Sequence, residues 1–196
     1  MKNKGLLIVF SGPSGSGKGT ILHDVLEQES SVMLSVSATT RAPREGEQNG
    51  VNYLFLSKKQ FEQIIADGGM LEHACYCGNY YGTPRRPVED AMKNGKDVIL
   101  EIEVQGALQI KQKFPECVTV FILPPSMEVL ENRLRRRKTE DEETILKRLA
   151  KAKEELAFAA QYDYVVVNGE LKTAVDDMKA ILRAEHCRAA RNEVMI

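Results

Sequence analysis

The chain has 196 residues, 43% of them hydrophobic and 28% charged, which is enough apolar material for one buried core and speaks against a disordered or membrane protein. Its 27 Lys and Arg against 28 Asp and Glu leave a net charge of −1, which excludes a global basic field for holding nucleic acid, so any anion is bound locally. No apolar run reaches the length of a membrane span, and Met1-Lys2-Asn3-Lys4 leads into a stretch too short for an export signal. A cytoplasmic chain with Cys75, Cys77, Cys117 and Cys187 reduced is therefore expected.

Leu6-Leu7-Ile8-Val9-Phe10 is a continuous apolar run suited to a strand buried on both faces of a parallel sheet. It runs into Gly12-Pro13-Ser14-Gly15-Ser16-Gly17-Lys18, the first seven positions of a phosphate-loop pattern. Ile21, Leu22, Val25 and Leu26 then recur at helical spacing. Strand, glycine loop and helix in this order form the context in which the pattern binds phosphate. Backbone N–H groups turn inward, the helix N-terminus adds positive potential and Lys18 adds a full charge, so ATP phosphates are the expected ligand. Gly19 stands where Ser or Thr usually follows the lysine, with Thr20 one place later. Magnesium is accordingly expected to be held largely through phosphate oxygens, water and a carboxylate, with Thr20 and Glu101 as candidate protein ligands.

Residues 35–87 differ in texture, with turn-formers Pro43, Gly46, Asn49-Gly50, Gly68-Gly69, Gly78-Asn79 and Gly82 between short aromatic or β-branched runs, and predict an inserted, mostly β lobe. Within it, Ser57 and Gln60 predict a capping box for a short helix carrying Phe61, Ile64 and Ile65. Arg41 and Arg44, three apart beside the stiffening Pro43, can turn two guanidinium forks onto one phosphate. His73, Cys75 and Cys77 lack zinc spacing and a second ligand pair, and no metal centre is expected there.

Val98-Ile99-Leu100 predicts the next buried strand, with Glu101 and Glu103 alternating at its C-terminal end, where open α/β sheets place their ligand crevice. Val118 to Leu123 predicts a third. The charged insertion from Ser126 to about Arg148 puts Leu130 and Leu134 on one helix face and Arg133 and Arg137 on another, and Thr139 to Glu142 reads as the capping box of the helix bearing Arg148. Tyr164-Val165-Val166-Val167 predicts a fourth buried strand, and Leu171, Val175, Met178, Ile181 and Leu182 mark a closing helix on the sheet.

Four segments carry a resemblance: Ser35-Val36-Ser37-Ala38-Thr39-Thr40-Arg41-Ala42-Pro43-Arg44-Glu45-Gly46-Glu47, Gly78-Asn79-Tyr80-Tyr81-Gly82-Thr83, Leu100-Glu101-Ile102-Glu103-Val104-Gln105-Gly106 and Phe121-Ile122-Leu123-Pro124-Pro125-Ser126. In order and separation they resemble the guanylate kinases, from Gly12 to Asn168. The resemblance implies an α/β, P-loop nucleoside monophosphate kinase fold, a parallel core sheet flanked by helices with an inserted mixed β lobe and a helical lid. The core is expected in residues 1–34, 88–125 and 149–196, a GMP-binding lobe in 35–87 and a lid in 126–148, one domain spanning about 5–190. It also implies reversible magnesium-dependent transfer of the ATP γ-phosphoryl group to GMP, and to dGMP, in purine nucleotide metabolism. The implied partners are small-molecule substrates, without nucleic acid or membrane; a homo-oligomer is left open.

Carried over residue by residue, the resemblance assigns ATP to Gly12, Pro13, Ser14, Gly15, Ser16, Gly17, Lys18, Gly19 and Thr20, with Asn168 toward the adenine. Lys18, Arg133, Arg137 and Arg148 are the implied catalytic cations. Arg41, Arg44, Tyr53 and Tyr81 would hold the GMP phosphate, while Ser37, Glu72 and Thr83 read guanine. One carboxylate matches the adjacent N1–H and 2-amino donors of that base, and a hydroxyl matches O6. Glu101 and Glu103 would face the nucleotides. The family more often has Asp at both places, which leaves open which carboxylate reaches magnesium and which the acceptor. Arg135-Arg136-Arg137-Lys138 stands where the family has alternating Arg and Gly, leaving lid flexibility open, and Gly169 follows Asn168 where the family often has Asp. A kinase of the same architecture with another acceptor, or a noncatalytic module binding phosphorylated peptides, are the alternatives.

Overall fold

The computed structural model describes residues 4–76, 78–136 and 141–192. From the N-terminus, β1 (Leu7–Ser11) leads through the glycine loop into α1 (Lys18–Gln28) and β2 (Val32–Leu34). The inserted lobe follows as β3 (Ala38–Thr39), β4 (Leu54–Phe55), α2 (Lys58–Ala66), β5 (Met70–Tyr76) and β6 (Asn79–Pro84). Then come α3 (Arg85–Lys93), β7 (Asp97–Glu101), α4 (Val104–Lys113) and β8 (Val118–Leu123), the helical excursion α5 (Met127–Arg136) and α6 (Glu142–Leu156), and finally β9 (Tyr164–Val167) and α7 (Leu171–His186).

The core sheet is wholly parallel, in the order β2-β7-β1-β8-β9, with Ile8 beside Ile99 on one side and Val118 on the other. Alternate side chains of β1 feed two cores, as a strand covered on both faces requires. Ile8 and Phe10 pack with Ile21, Leu22 and Val25 of α1 and Val175 and Met178 of α7. Leu7 and Val9 pack on the opposite face with Val88 of α3 and Ala107 and Ile110 of α4. The lobe forms a second, mixed sheet in the order β4-β3-β6-β5 over Phe61 of α2, whose Ser57–Gln60 capping box is present.

Three expectations are corrected. The core sheet has five strands rather than four, because β2, only three residues long and half-exposed at Met33 and Leu34, is too short to show a pattern. β9 is an edge strand covered by α7 on one face only, so Val165 and Val167 are 46% and 50% exposed instead of buried. The cap of α6 is Asp141, whose carboxylate accepts from Thr144 N at 2.8 Å; Thr139 lies outside the described residues. α6 also runs on to Leu156, so Arg148 sits in mid-helix. Among the described residues no helix is long and apolar enough to cross a membrane.

The end of α7 is tied to the sheet by two buried carboxylates. Asp97 accepts from Leu6 N at 2.8 Å and pairs with His186 Nε2 at 2.7 Å. Glu185, 2% exposed, accepts from Tyr164 Oη at 2.6 Å and from Arg191 Nη2 at 2.8 Å. Burial alone would raise the Glu185 pKa, but hydrogen bonds from Tyr164, Arg191 and Arg188 outweigh it and hold the group below its ordinary value. A depressed carboxylate contributes stability above its unfolded pKa and loses it as pH falls through the folded one. Glu185→Gln should therefore cost about 1–3 kcal/mol at neutral pH. The gap in Tm between wild type and variant should close as pH drops below about 4, a closure that melting curves across pH would show.

Candidate active site

β1 ends in the middle of the sheet, and the glycine loop turns there into α1. The N-cap of α1 is Gly17, at φ 91° with no side-chain cap, so the first-turn N–H groups are left for an anionic ligand to satisfy. Lys18 opens the helix, and its Nζ donates to the carbonyl oxygens of Gly12 at 2.6 Å and Pro13 at 3.1 Å. From α6, Arg148 Nη1 donates to Ser14 Oγ at 2.6 Å.

The outer side of the loop is clamped. Asn168, buried just beyond β9, donates through Nδ2 to the Ser16 carbonyl at 2.8 Å. Arg133 of α5 donates to the same carbonyl at 3.2 Å and to the Asn168 carbonyl at 2.9 Å. Asn168 and Arg133, assigned by sequence to the nucleotide directly, thus have these donors on the loop backbone. Arg137 lies outside the described residues. Gly19 and Thr20 are both exposed, with nothing within 4 Å of where a Gly19 Cβ would stand.

In front of the loop is a cavity of ≈ 390 Å³ lined by Gly12, Ser14, Lys18, Arg148, Lys151 and Glu155, with Tyr53, Glu101, Ile102 and Glu103 on its far wall. Those last four residues also line a second cavity of ≈ 260 Å³, reaching into the lobe between Ser37, Glu72, Ala74, Tyr81, Gly82 and Gly106. The shared wall makes one continuous crevice. Glu101, which ends β7, is open to solvent from the crevice, yet the protein behind it raises its pKa against the pull of Lys18. Glu103 pairs with Lys151 of α6 at 2.9 Å. Burial likewise raises the pKa of Glu155, the partner of Lys151 one turn on.

At the far end of the crevice Glu72 is 4% exposed and its Oε1 accepts from the buried Thr83 Oγ1 at 2.7 Å. Burial raises its pKa, and the Thr83 bond only moderates the rise. Arg41 is gripped in a bidentate pair by Glu47, at 2.9 and 3.0 Å, and its guanidinium lies 5.5 Å from the Tyr53 ring centroid. Glu47 also accepts from Arg44 N at 2.7 Å, and the Arg41 bond first, then Arg44, lowers its pKa. The Arg44 side chain is exposed, while Tyr53 and Tyr81 meet edge-on at 6.2 Å.

Sequence reasoning missed Glu47 as the holder of Arg41, Lys151 and Glu155 as crevice residues, and Gly106 as a crevice wall. Lys151 was findable, since it follows Arg148 by three residues and shares its side of a helix. Among the described residues no group of three or more His, Cys, Asp or Glu is placed to hold a metal ion, and Cys75, Cys117 and Cys187 are free thiols.

A phosphate loop at the central strand of a parallel sheet, an arginine on a helix above it and a second cavity sharing one wall define a nucleotide kinase of the P-loop class. The sequence profile of the guanylate kinase family matches residues 4–185. The chain is 55% identical over 190 residues to a guanylate kinase of Desulfitobacterium hafniense, covering 97% of this chain and 95% of that one, and 54% identical over 190 residues to one of Halalkalibacterium halodurans, covering 97% and 93%. The crystal structure of guanylate kinase from Anaplasma phagocytophilum superposes with a TM-score of 0.80 at 37% identity, over 97% of this chain and 90% of that one. The chain belongs to the guanylate kinase family and is a kinase.

Gly17 tests the loop architecture. A Cβ there would stand 2.1 Å from Asn168 Nδ2, on a backbone in the left-handed region that costs an L-residue about 1–2 kcal/mol. Gly17→Ala is expected to lower stability by at least that amount in urea unfolding and to weaken binding of a fluorescent ATP analogue, with GMP binding retained.

Proposed function

We propose that this chain transfers the γ-phosphoryl group of ATP to GMP, and to dGMP, reversibly, giving ADP and the nucleoside diphosphate, a step of purine nucleotide metabolism. The observation that carries the reading is the single crevice with Lys18 and Arg148 at one end and the buried Glu72–Thr83 pair at the other. Residues 35–87 act as the acceptor lobe and 126–148 as the lid.

At the donor end, the loop N–H groups, the α1 N-terminus and Lys18 bind the β- and γ-phosphates, with Lys18 exchanging the carbonyls of Gly12 and Pro13 for phosphate oxygens. Asn168 and Arg133 serve ATP by holding the Ser16 carbonyl turned outward, so that the N–H groups face the cavity. Arg148, poised on Ser14, lies where positive charge steadies the migrating group, and Arg137 is assigned the same task. Phosphoryl transfer asks for alignment and positive charge more than for a general base.

At the acceptor end, Arg41, Arg44, Tyr53 and Tyr81 take the GMP phosphate, Arg41 exchanging Glu47 for it. Glu72 accepts from N1–H and the 2-amino group of guanine, with the Ser37 hydroxyl near O6, while Thr83, whose hydroxyl proton goes to Glu72 Oε1, holds the carboxylate from behind; adenine would meet the same carboxylate with an acceptor and leave it unpaired. The residues fit magnesium through Glu101, an oxygen donor on the shared wall, with Glu103 as the neighbouring carboxylate, whereas Gly19 offers no side-chain oxygen and Thr20 is not among the side chains lining either cavity. Bound with ATP, magnesium would neutralise charge on the phosphates.

An assay of ADP formation with GMP, dGMP, AMP, CMP and UMP offered in turn tests the reading. Turnover confined to GMP and dGMP is expected, and faster turnover with AMP or UMP would overturn it. Lys18→Ala should lower kcat by about 10²-fold or more while GMP still binds. Because Glu72 must be ionised to accept both donors and its pKa is raised, KM for GMP should climb on acidification starting above the ordinary carboxylate range. Glu72→Gln should remove that dependence, and a pH profile of KM in the two enzymes decides the point.

A further inference from the structure

Gly106 is the third residue of α4, buried, in an ordinary helical conformation that an alanine would adopt with a gain in helix stability. Backbone freedom therefore does not account for the glycine. Its surroundings do: a Cβ at this position would stand 2.6 Å from Glu72 Oε2, 3.2 Å from Glu72 Cδ and 3.4 Å from Ile102 Cδ1. The first of these distances is one that a real Cβ essentially never shows to a non-bonded atom, so a methyl group and the carboxylate in its present position exclude each other.

A carboxylate at the end of an exposed Glu would simply swing aside. Glu72 has little such freedom, being buried, with Oε1 held by Thr83 Oγ1 at 2.7 Å from a strand that pairs with its own. Oε2 is the oxygen that faces Gly106, and both residues line the ≈ 260 Å³ lobe cavity. We infer that Gly106 is a positioning residue for base selection: the missing side chain sets where Glu72 Oε2 stands, and with it the discrimination between guanine and hypoxanthine. The inference rests on the proposed reading of Glu72 as the acceptor of the base.

Guanine presents two parallel donors, N1–H and the 2-amino group, which a carboxylate meets with both oxygens at once; hypoxanthine has N1–H alone and needs only one oxygen. Displacing Oε2 while Thr83 retains Oε1 spoils the two-point match and spares the one-point match. Gly106→Ala should thus lower kcat/KM for GMP by about tenfold, chiefly through KM, with much less change for IMP, so that the GMP-to-IMP preference collapses toward that of Glu72→Gln. KM for ATP should not move.

The experiment measures kcat/KM for GMP and IMP and KM for ATP in wild type, Glu72→Gln, Gly106→Ala, Glu72→Asp and the Glu72→Asp/Gly106→Ala double variant, with thermal unfolding of each. Shortening Glu72 by one methylene withdraws its carboxylate from the new methyl, so the two substitutions should be non-additive in Tm, the double variant melting above the sum of the singles. If Glu72→Gln leaves the GMP-to-IMP preference intact, the reading of Glu72 fails and this inference falls with it. If Glu72→Gln removes the preference but Gly106→Ala keeps it, or lowers both substrates equally, the inference about Gly106 alone is overturned. Should Gly106→Ala not fold, recovery of folding in the double variant is required, and its absence overturns the inference as well.

Discussion

The constraint on which everything else depends is the placement of β1 between two parallel neighbours. Because β7, β1 and β8 run the same way, their C-terminal ends open onto one rim, and each end delivers a different functional group there. β1 delivers the glycine loop, β7 delivers Glu101, and β9, carried by β8, brings Asn168 against the back of the loop. An antiparallel neighbour would send one of these groups to the opposite edge. The apolar burial of Ile8, Val9 and Phe10 on both faces keeps the arrangement rigid, so core packing and site geometry are a single energetic fact.

Charge in and around the crevice is managed in the same way at five cations, each held by oxygens of the chain itself. Lys18 rests on loop carbonyls, Arg133 on two more, Arg148 on a serine hydroxyl, Arg41 on Glu47 and Lys151 on Glu103. These partners hold the side chains in place ahead of any anion. Side chains ordered in advance lose less entropy on binding, at the cost of the bonds they give up. Glu72 is the inverse case, a buried carboxyl whose desolvation raises its pKa against the pull of the Thr83 hydrogen bond.

The parts most legible in the sequence were those written as long or locally complete patterns. The β1–loop–α1 unit combines an apolar run, glycines and a helical stripe between Leu6 and Leu26, and the Ser57–Gln60 box is a four-residue statement of its own. The residues gathered around the lobe cavity, Ser37, Glu72, Tyr81 and Thr83, were named through the family resemblance, and the fold brings all of them but the more deeply set Thr83 onto the wall of that cavity, with Thr83 bonded directly to Glu72. What could not be read was partner choice at a distance. Nothing local marks Asn168 as bonded to Ser16, 152 residues away, or Lys151 as the mate of Glu103. Edge status was equally invisible, since Val165 and Val167 look as apolar as any core strand and only the position of α7 decides that they face water.

Helix α6 carries Arg148 to Ser14 of the glycine loop and Lys151 to Glu103 on the shared wall of the crevice. The two are three positions apart along the helix, a rise of about 4.5 Å that hydrogen bonding makes nearly inextensible. The helix thus works as a gauge block between the two halves of the site. The spacing of these two cations is therefore set within α6 itself and does not depend on the sequence between α5 and α6. What the helix calibrates is the placement of two positive charges as one unit, the first on the glycine loop and the second on the wall that both cavities share.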